Sequence, residues 1–206
     1  MTFKLSSSIS LKPKDLNNIV TNKLHMEHKL YKYEAVLNLL KSNNHLRQIA
    51  KDLSTNHMTI KRILDNLVRE NVLDVKKQGR NNIFSIKKTL EAQNIVFSAE
   101  LYNFNKFINK HIGLKQDIIK LKNLQVNLIV IFGSYAKGNE TKESDIDIYV
   151  EIENNKIKKE IEKINPKFSV KIGNYSKDNL LIKEIEKDHI IVKGVEYFYE
   201  KNKFFS

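Results

Sequence analysis

The stretch Leu128 to Val150, LIVIFGSYAKGNETKESDIDIYV, narrows what this chain can be more than any other part of it. Leu128 to Phe132 is a short, apolar run rich in β-branched residues, the pattern of a strand buried on both faces. Gly133 stops it. Without a Cβ, glycine lets the backbone come close to a phosphate, and the Ser134 hydroxyl and the amides that follow can donate to phosphate oxygens. Tyr135 to Lys137 is expected to open a short helix whose amides face the same anion. Lys137 adds a mobile positive charge, so Gly133, Ser134 and Lys137 are the candidate nucleotide-binding residues.

Ten residues, Tyr135 to Ser144, separate Ser134 from Asp145, and with Gly138, Asn139 and Thr141 among them they predict a solvated loop or short helix. On the returning strand, side chains alternate with period two. Asp145, Asp147, Tyr149 and Glu151 then share one face, while Ile146, Ile148 and Val150 take the other. Two carboxylates side by side repel each other, and Mg²⁺, bound through one or two carboxylates plus substrate phosphates, relieves the repulsion. Asp145 and Asp147 are therefore the candidate metal ligands and catalytic residues, and the chemistry they imply is phosphoryl or nucleotidyl transfer. The bland alternative is a tight turn followed by a solvated acidic strand edge, because Ser-Asp-x-Asp is common in loops.

Gly133-Ser134, ten residues, then Asp145-x-Asp147 resembles the signature of the DNA polymerase beta-like nucleotidyltransferases, in size their minimal branch. That resemblance implies an α/β fold, a mixed sheet flanked by helices, with NTP (ATP foremost) and, in an active enzyme, two Mg²⁺ ions. It also implies a third carboxylate on a later strand that helps ligate metal and accepts the proton of the attacking hydroxyl. Here the matching stretch, Lys167 to Ile172, puts Ser169 in that place. Serine is a poor metal ligand and no general base near neutral pH. Glu151, on the same face as Asp147, is the candidate substitute.

At 206 residues the chain has room for one or two domains. Hydrophobic residues at 41% suffice for ordinary cores, and the absence of cysteine excludes disulfides, thiolate zinc sites and a cysteine nucleophile. No apolar run approaches the ~20 residues that span a bilayer. The first ten residues lack the apolar core of a secretory signal, so a cytoplasmic protein is expected. Lysine and arginine total 36 against 24 acids, a net charge of +12 that suits a polyanionic partner. Lysine-rich composition also arises from AT-rich genomes, so charge alone decides nothing.

Residues 1–30 read as an extension with one modest helix carrying Leu16, Ile19, Val20 and Leu24. From 31 to 88 the pattern sharpens. Ala35, Val36, Leu39 and Leu40 predict a first helix, and Leu46, Ile49, Ala50 and Leu53 a second. After a polar turn, Ser54 to His57, the residues Ile60, Ile63, Leu64, Leu67 and Val68 recur at i, i+3, i+4, i+7 and i+8 and predict a third. Val72, Leu73 and Val75 read as a strand, Lys76 to Asn82 as a basic turn, and Ile83, Phe84 and Ile86 as the returning strand. Helix, helix, helix, hairpin resembles a winged helix-turn-helix. In that geometry the third helix enters the major groove of double-stranded DNA. His57, Thr59, Lys61 and Arg62 would meet DNA from it, and Lys76, Lys77 and Arg80 from the hairpin. A winged helix used only for protein contacts is the competing reading. His25, His28, His45 and His57 fall on different elements and read as surface or capping residues.

Residues 89–113 read as a helical connector broken near His111 to Gly113, and 114–206 as the nucleotidyltransferase-like part. The aromatic row Phe97, Tyr102, Phe104 and Phe107 reads as core or dimer contact in preference to a base-stacking platform. The fold expected is thus two domains, an α+β winged helix-turn-helix followed by an α/β nucleotidyltransferase. The minimal nucleotidyltransferases include antitoxins that transfer AMP to a partner toxin, so the resemblance implies a toxin-like protein acceptor. A homodimer is implied by the winged-helix resemblance alone. The departure at Ser169 equally suits a transcription regulator that senses a nucleotide without turning it over.

Overall fold

The structure is a computed structural model that describes residues 30–206, so the helix read around Leu16 to Leu24, and His25 and His28, lie outside the described residues. The first helix, α1 (30–41), buries Ala35, Val36 and Leu39. A two-residue strand, β1 (Asn44–His45), leads into α2 (Leu46–Asp52). His45 is the N-cap of α2, its Nδ1 accepting from the Gln48 amide at 3.1 Å, which is the capping one of the two roles, surface or capping, expected of the histidines. Helix α3 (His57–Arg69) starts one residue into the expected turn because Asn56 caps it, its Oδ1 taking the Thr59 amide at 2.8 Å. Its apolar stripe Ile60, Ile63, Leu64 and Leu67 is fully buried, each side chain contributing about 1.5–3 kcal/mol.

Strands β2 (Leu73–Gln78) and β3 (Asn81–Ile86) form an antiparallel hairpin in register from Leu73 opposite Ile86 to Gln78 opposite Asn81, and β1 adds to the outer edge of β3. This corrects the expected turn over Lys76 to Asn82. Only Gly79 and Arg80 make the turn, with Gly79 at φ +59°, so Lys76 and Lys77 lie on a strand. Pairing overrode the polar composition because the partners Asn82 and Ile83 continue the ladder.

Helix α4 (Leu90–Lys110) is capped by Thr89, whose Oγ1 takes the Ala92 amide, and a single turn of 3₁₀ helix (Ile112–Leu114) separates it from α5 (Lys115–Asn123). The C-terminal sheet runs β6-β5-β4-β7, comprising β4 (Ile129–Phe132), β5 (Ile146–Glu151), β6 (Phe168–Gly173) and β7 (Ile190–Lys193). It is mixed, with β4 antiparallel to both neighbours and β5 parallel to β6 across helix α7 (Asn155–Ile164). All four residues of β4 are buried, as its apolar run predicts. One face carries Ile129, Ile131, Ile146, Ile148 and Val150 against Ile118 and Leu121 of α5 and Ile161 of α7. The other carries Val130, Phe132 and Tyr149 against α8 (Leu180–Lys187) and α9 (Val195–Lys201).

That second face belongs to the same buried cluster as the N-terminal helices. Ala92, Val96 and Ala99 of α4 pack in it, whereas Phe104 and Phe107, further along the helix, pack in the other core. The expected connector is therefore a spine shared by both parts. Among the described residues no helix is long and apolar enough to cross a membrane.

Candidate functional site

Strand β4 delivers Phe132 opposite Asp147 on β5, and β5 in turn sets Asp147 opposite Ser169 on β6. The chain leaves β4 directly into α6 (Gly133–Lys137), two residues earlier than expected, so Gly133 and Ser134 sit in its first turn. Gly133 has φ +68°, and a Cβ on it would overlap the Asp147 carboxylate. The glycine is thus required twice over, for its backbone angle and for the room Asp147 occupies. Gly138, left-handed at φ +74°, ends α6 and hands the chain to the loop in which the Thr141 amide donates to the Ser144 hydroxyl at 2.9 Å.

Asp147 is half-buried within β5, and Asp145 is exposed, immediately ahead of the first strand residue. Lys137 donates to Glu184 of α8 at 2.8 Å. That bond, the Glu184 charge, and the charges of Asp188 and Asp147 hold its ammonium above the ordinary lysine pKa. Tyr149 does not belong to the site. It is buried, its hydroxyl donates to the Gly173 carbonyl at 2.9 Å, and burial together with the Glu151 charge pushes its pKa up.

Glu151 is corrected as a substitute acid. It lies four residues beyond Asp147, about 13 Å along a strand, with its side chain only 8% exposed and paired with Lys201 at 3.0 Å. Among the described residues no group of three or more His, Cys, Asp or Glu side chains is placed to hold a metal. The carboxylates left at this end of β5, Asp145 and Asp147, are of the chemistry that could hold one divalent ion completed by substrate phosphates. They supply no third carboxylate to complete a two-ion site.

On the N-terminal part, His57, Lys61 and Arg62 are exposed on α3, as are Lys76, Lys77 and Arg80 on the hairpin, while Thr59 is half-buried. A crevice of about 280 Å³ brings Lys61 and Arg80 together and adds Arg47 of α2, Asn81 and Asn82. Arg47 escaped the sequence reading because nothing in the local pattern shows that the start of α2 faces the hairpin. Also missed was a buried polar cluster. Glu100 of α4, 1% exposed, accepts from the Tyr199 hydroxyl at 2.7 Å and faces His189 Nε2 at 3.2 Å. Burial disfavours the imidazolium of His189, but the adjoining Glu100 carboxylate and Ile185 carbonyl outweigh it and raise its pKa. His111, beside Glu140 at 3.5 Å, goes the other way because burial dominates.

Residues 115–196, from the first residue of α5 into α9, match the family described as polymerase beta, nucleotidyltransferase. This segment is similar to nucleotidyltransferase domains. A protein of Methanocaldococcus jannaschii, provisionally named a protein adenylyltransferase, is 42% identical over 55 residues, which cover 27% of this chain and 50% of that protein. The chain thus spans about half the length of that relative. The solved structure of the adhesin competence repressor from Streptococcus pyogenes aligns with 50% of this chain and 81% of its own, at 17% identity and a TM-score of 0.37.

Proposed function

We propose that this chain is a DNA-binding protein whose nucleotidyltransferase domain takes a nucleoside monophosphate, AMP foremost, from an NTP and attaches it to a hydroxyl of an acceptor, a partner protein being the favoured class. The observation that carries the reading is Gly133 at a positive φ, shaped around the Asp147 carboxylate at the end of β4. Gly133 and Ser134 hold the phosphates, and Asp145 and Asp147 hold Mg²⁺, which when bound offsets charge developing on the phosphate oxygens. The acceptor oxygen attacks the α-phosphorus in line, the bond to the bridging oxygen breaks, and pyrophosphate leaves. With Ser169 opposite Asp147, the acceptor's proton goes to water or to a group the acceptor itself brings. The adenylyltransferase relative is consistent with AMP as the group transferred.

A second reading rests on the same Ser169: a nucleotide-sensing regulator that binds without turnover. DNA binding is proposed from the exposed basic residues of α3 and the hairpin, with Lys61, Arg80 and Arg47 around one crevice. Incubation with α-labelled ATP and Mg²⁺, with and without candidate acceptors, separates the readings. Label transfer that disappears in Asp147→Asn establishes the enzyme. Mg²⁺-dependent nucleotide affinity with no transfer to any acceptor establishes the sensor, and no affinity for any NTP overturns both.

A further inference from the structure

Beside α6, a crevice of about 800 Å³ opens between α8 and the end of α1. It is lined by four lysines, Lys41, Lys137, Lys183 and Lys187, drawn from three elements. Two of them are engaged: Lys137 with Glu184 at 2.8 Å, and Lys41 with Asp188 at 2.5 Å. Lys183 and Lys187 are exposed and have no carboxylate partner among the described residues. Glu184 lies in the last turn of α8 and Asp188, four residues on, is its C-cap. One helix is thus tied to the Gly133-Ser134 helix at its last turn and to the N-terminal part of the chain at its cap. The remaining acid of the crevice, Glu186, is occupied by the Tyr175 hydroxyl at 2.7 Å.

We infer that this crevice receives the β- and γ-phosphates of the nucleotide, with Lys183 and Lys187 as standing partners and Lys41 joining them once it leaves Asp188. The inference rests on the nucleotide reading of Gly133 and Ser134 and extends it to residues outside the motif. Exposed lysine–carboxylate pairs hold each other weakly, and a polyphosphate offers each ammonium a more highly charged partner with several acceptor oxygens. A volume of this order accommodates a triphosphate chain. Because Lys41 ends α1, occupancy at the motif is felt by the DNA-binding part as loss of the Lys41–Asp188 tie. Nucleotide and DNA then alter each other's affinity by the same factor.

The test uses the full chain and calorimetric titration with Mg²⁺ and whichever of ATP, GTP, CTP or UTP the wild type binds, alongside the matching monophosphate. Lys183→Gln with Lys187→Gln should weaken triphosphate binding by at least about fivefold, and Lys41→Gln by a smaller factor, since charge-assisted hydrogen bonds are being removed. Monophosphate affinity should stay unchanged. Inorganic tripolyphosphate should compete in the wild type and fail to compete in the double variant. DNA affinity should shift with nucleotide in the wild type and not in Lys41→Gln. Triphosphate affinity unaltered in both variants overturns the inference while leaving the motif reading intact. If the wild type binds no nucleotide, the motif reading itself fails.

Discussion

Replacing Gly133 with alanine puts one methyl group where two constraints meet. The first is conformational: a non-glycine residue at φ +68° costs about 1–2 kcal/mol. The second is steric, since the new Cβ lands on the Asp147 carboxylate. The carboxylate must swing away, taking the candidate metal ligand with it. Gly138 supplies the control, because it sits at φ +74° with nothing within 4 Å of where its Cβ would be. Gly133→Ala and Gly138→Ala should both lose about 1–2 kcal/mol in urea unfolding, the shared backbone cost. Only Gly133→Ala should also lose Mg²⁺-dependent nucleotide binding, to the level of Asp147→Asn. The double variant Gly133→Ala with Asp147→Asn should bind no worse than either alone, since both act on the same carboxylate. Gly133→Ala binding nucleotide as the wild type does would refute the reasoning, and so would equal damage to binding from Gly138→Ala.

Three further outcomes are expected. Ser169→Asp restores a carboxylate opposite Asp147; it should raise the rate of label transfer at least about tenfold, short of the ~10²–10⁴ that a fully positioned base contributes, and make the melting temperature more strongly dependent on Mg²⁺. An unchanged rate with nucleotide binding intact removes the third acid as the limiting element. Arg62→Ala and Arg80→Ala should each weaken duplex DNA binding and lower the salt slope by about one unit per lost phosphate contact; unaltered affinity in both assigns the N-terminal part another use. His189, with its pKa raised by Glu100, stabilises the fold fully below about pH 6.5 and loses that contribution as pH rises through its folded pKa. An NMR titration of its ring protons should give a midpoint above that of a free histidine, and His189→Gln should flatten the decline in stability over that window; a midpoint below 6.5 contradicts this account.

Local pattern carried a good deal of this molecule. The stripe Ile60, Ile63, Leu64, Leu67 marks the buried side of α3 because a helix repeats every 3.6 residues, and Leu128 to Phe132 marks a central strand because nothing polar interrupts it. Gly133 and Asp147 come together because their spacing is short enough for one strand, one turn and the next strand to meet. What chain order alone left open depends on which distant surfaces meet. The overlap of Gly133 with Asp147 and the capture of Glu151 by Lys201 come from sheet register and from α9 folding back. The buried Glu100, His189 and Tyr199 cluster and the lysine crevice join residues up to 99 and 147 positions apart. Periodicity reports which face of an element is apolar. Only packing decides what that face meets, and charged side chains find their partners after the cores have closed.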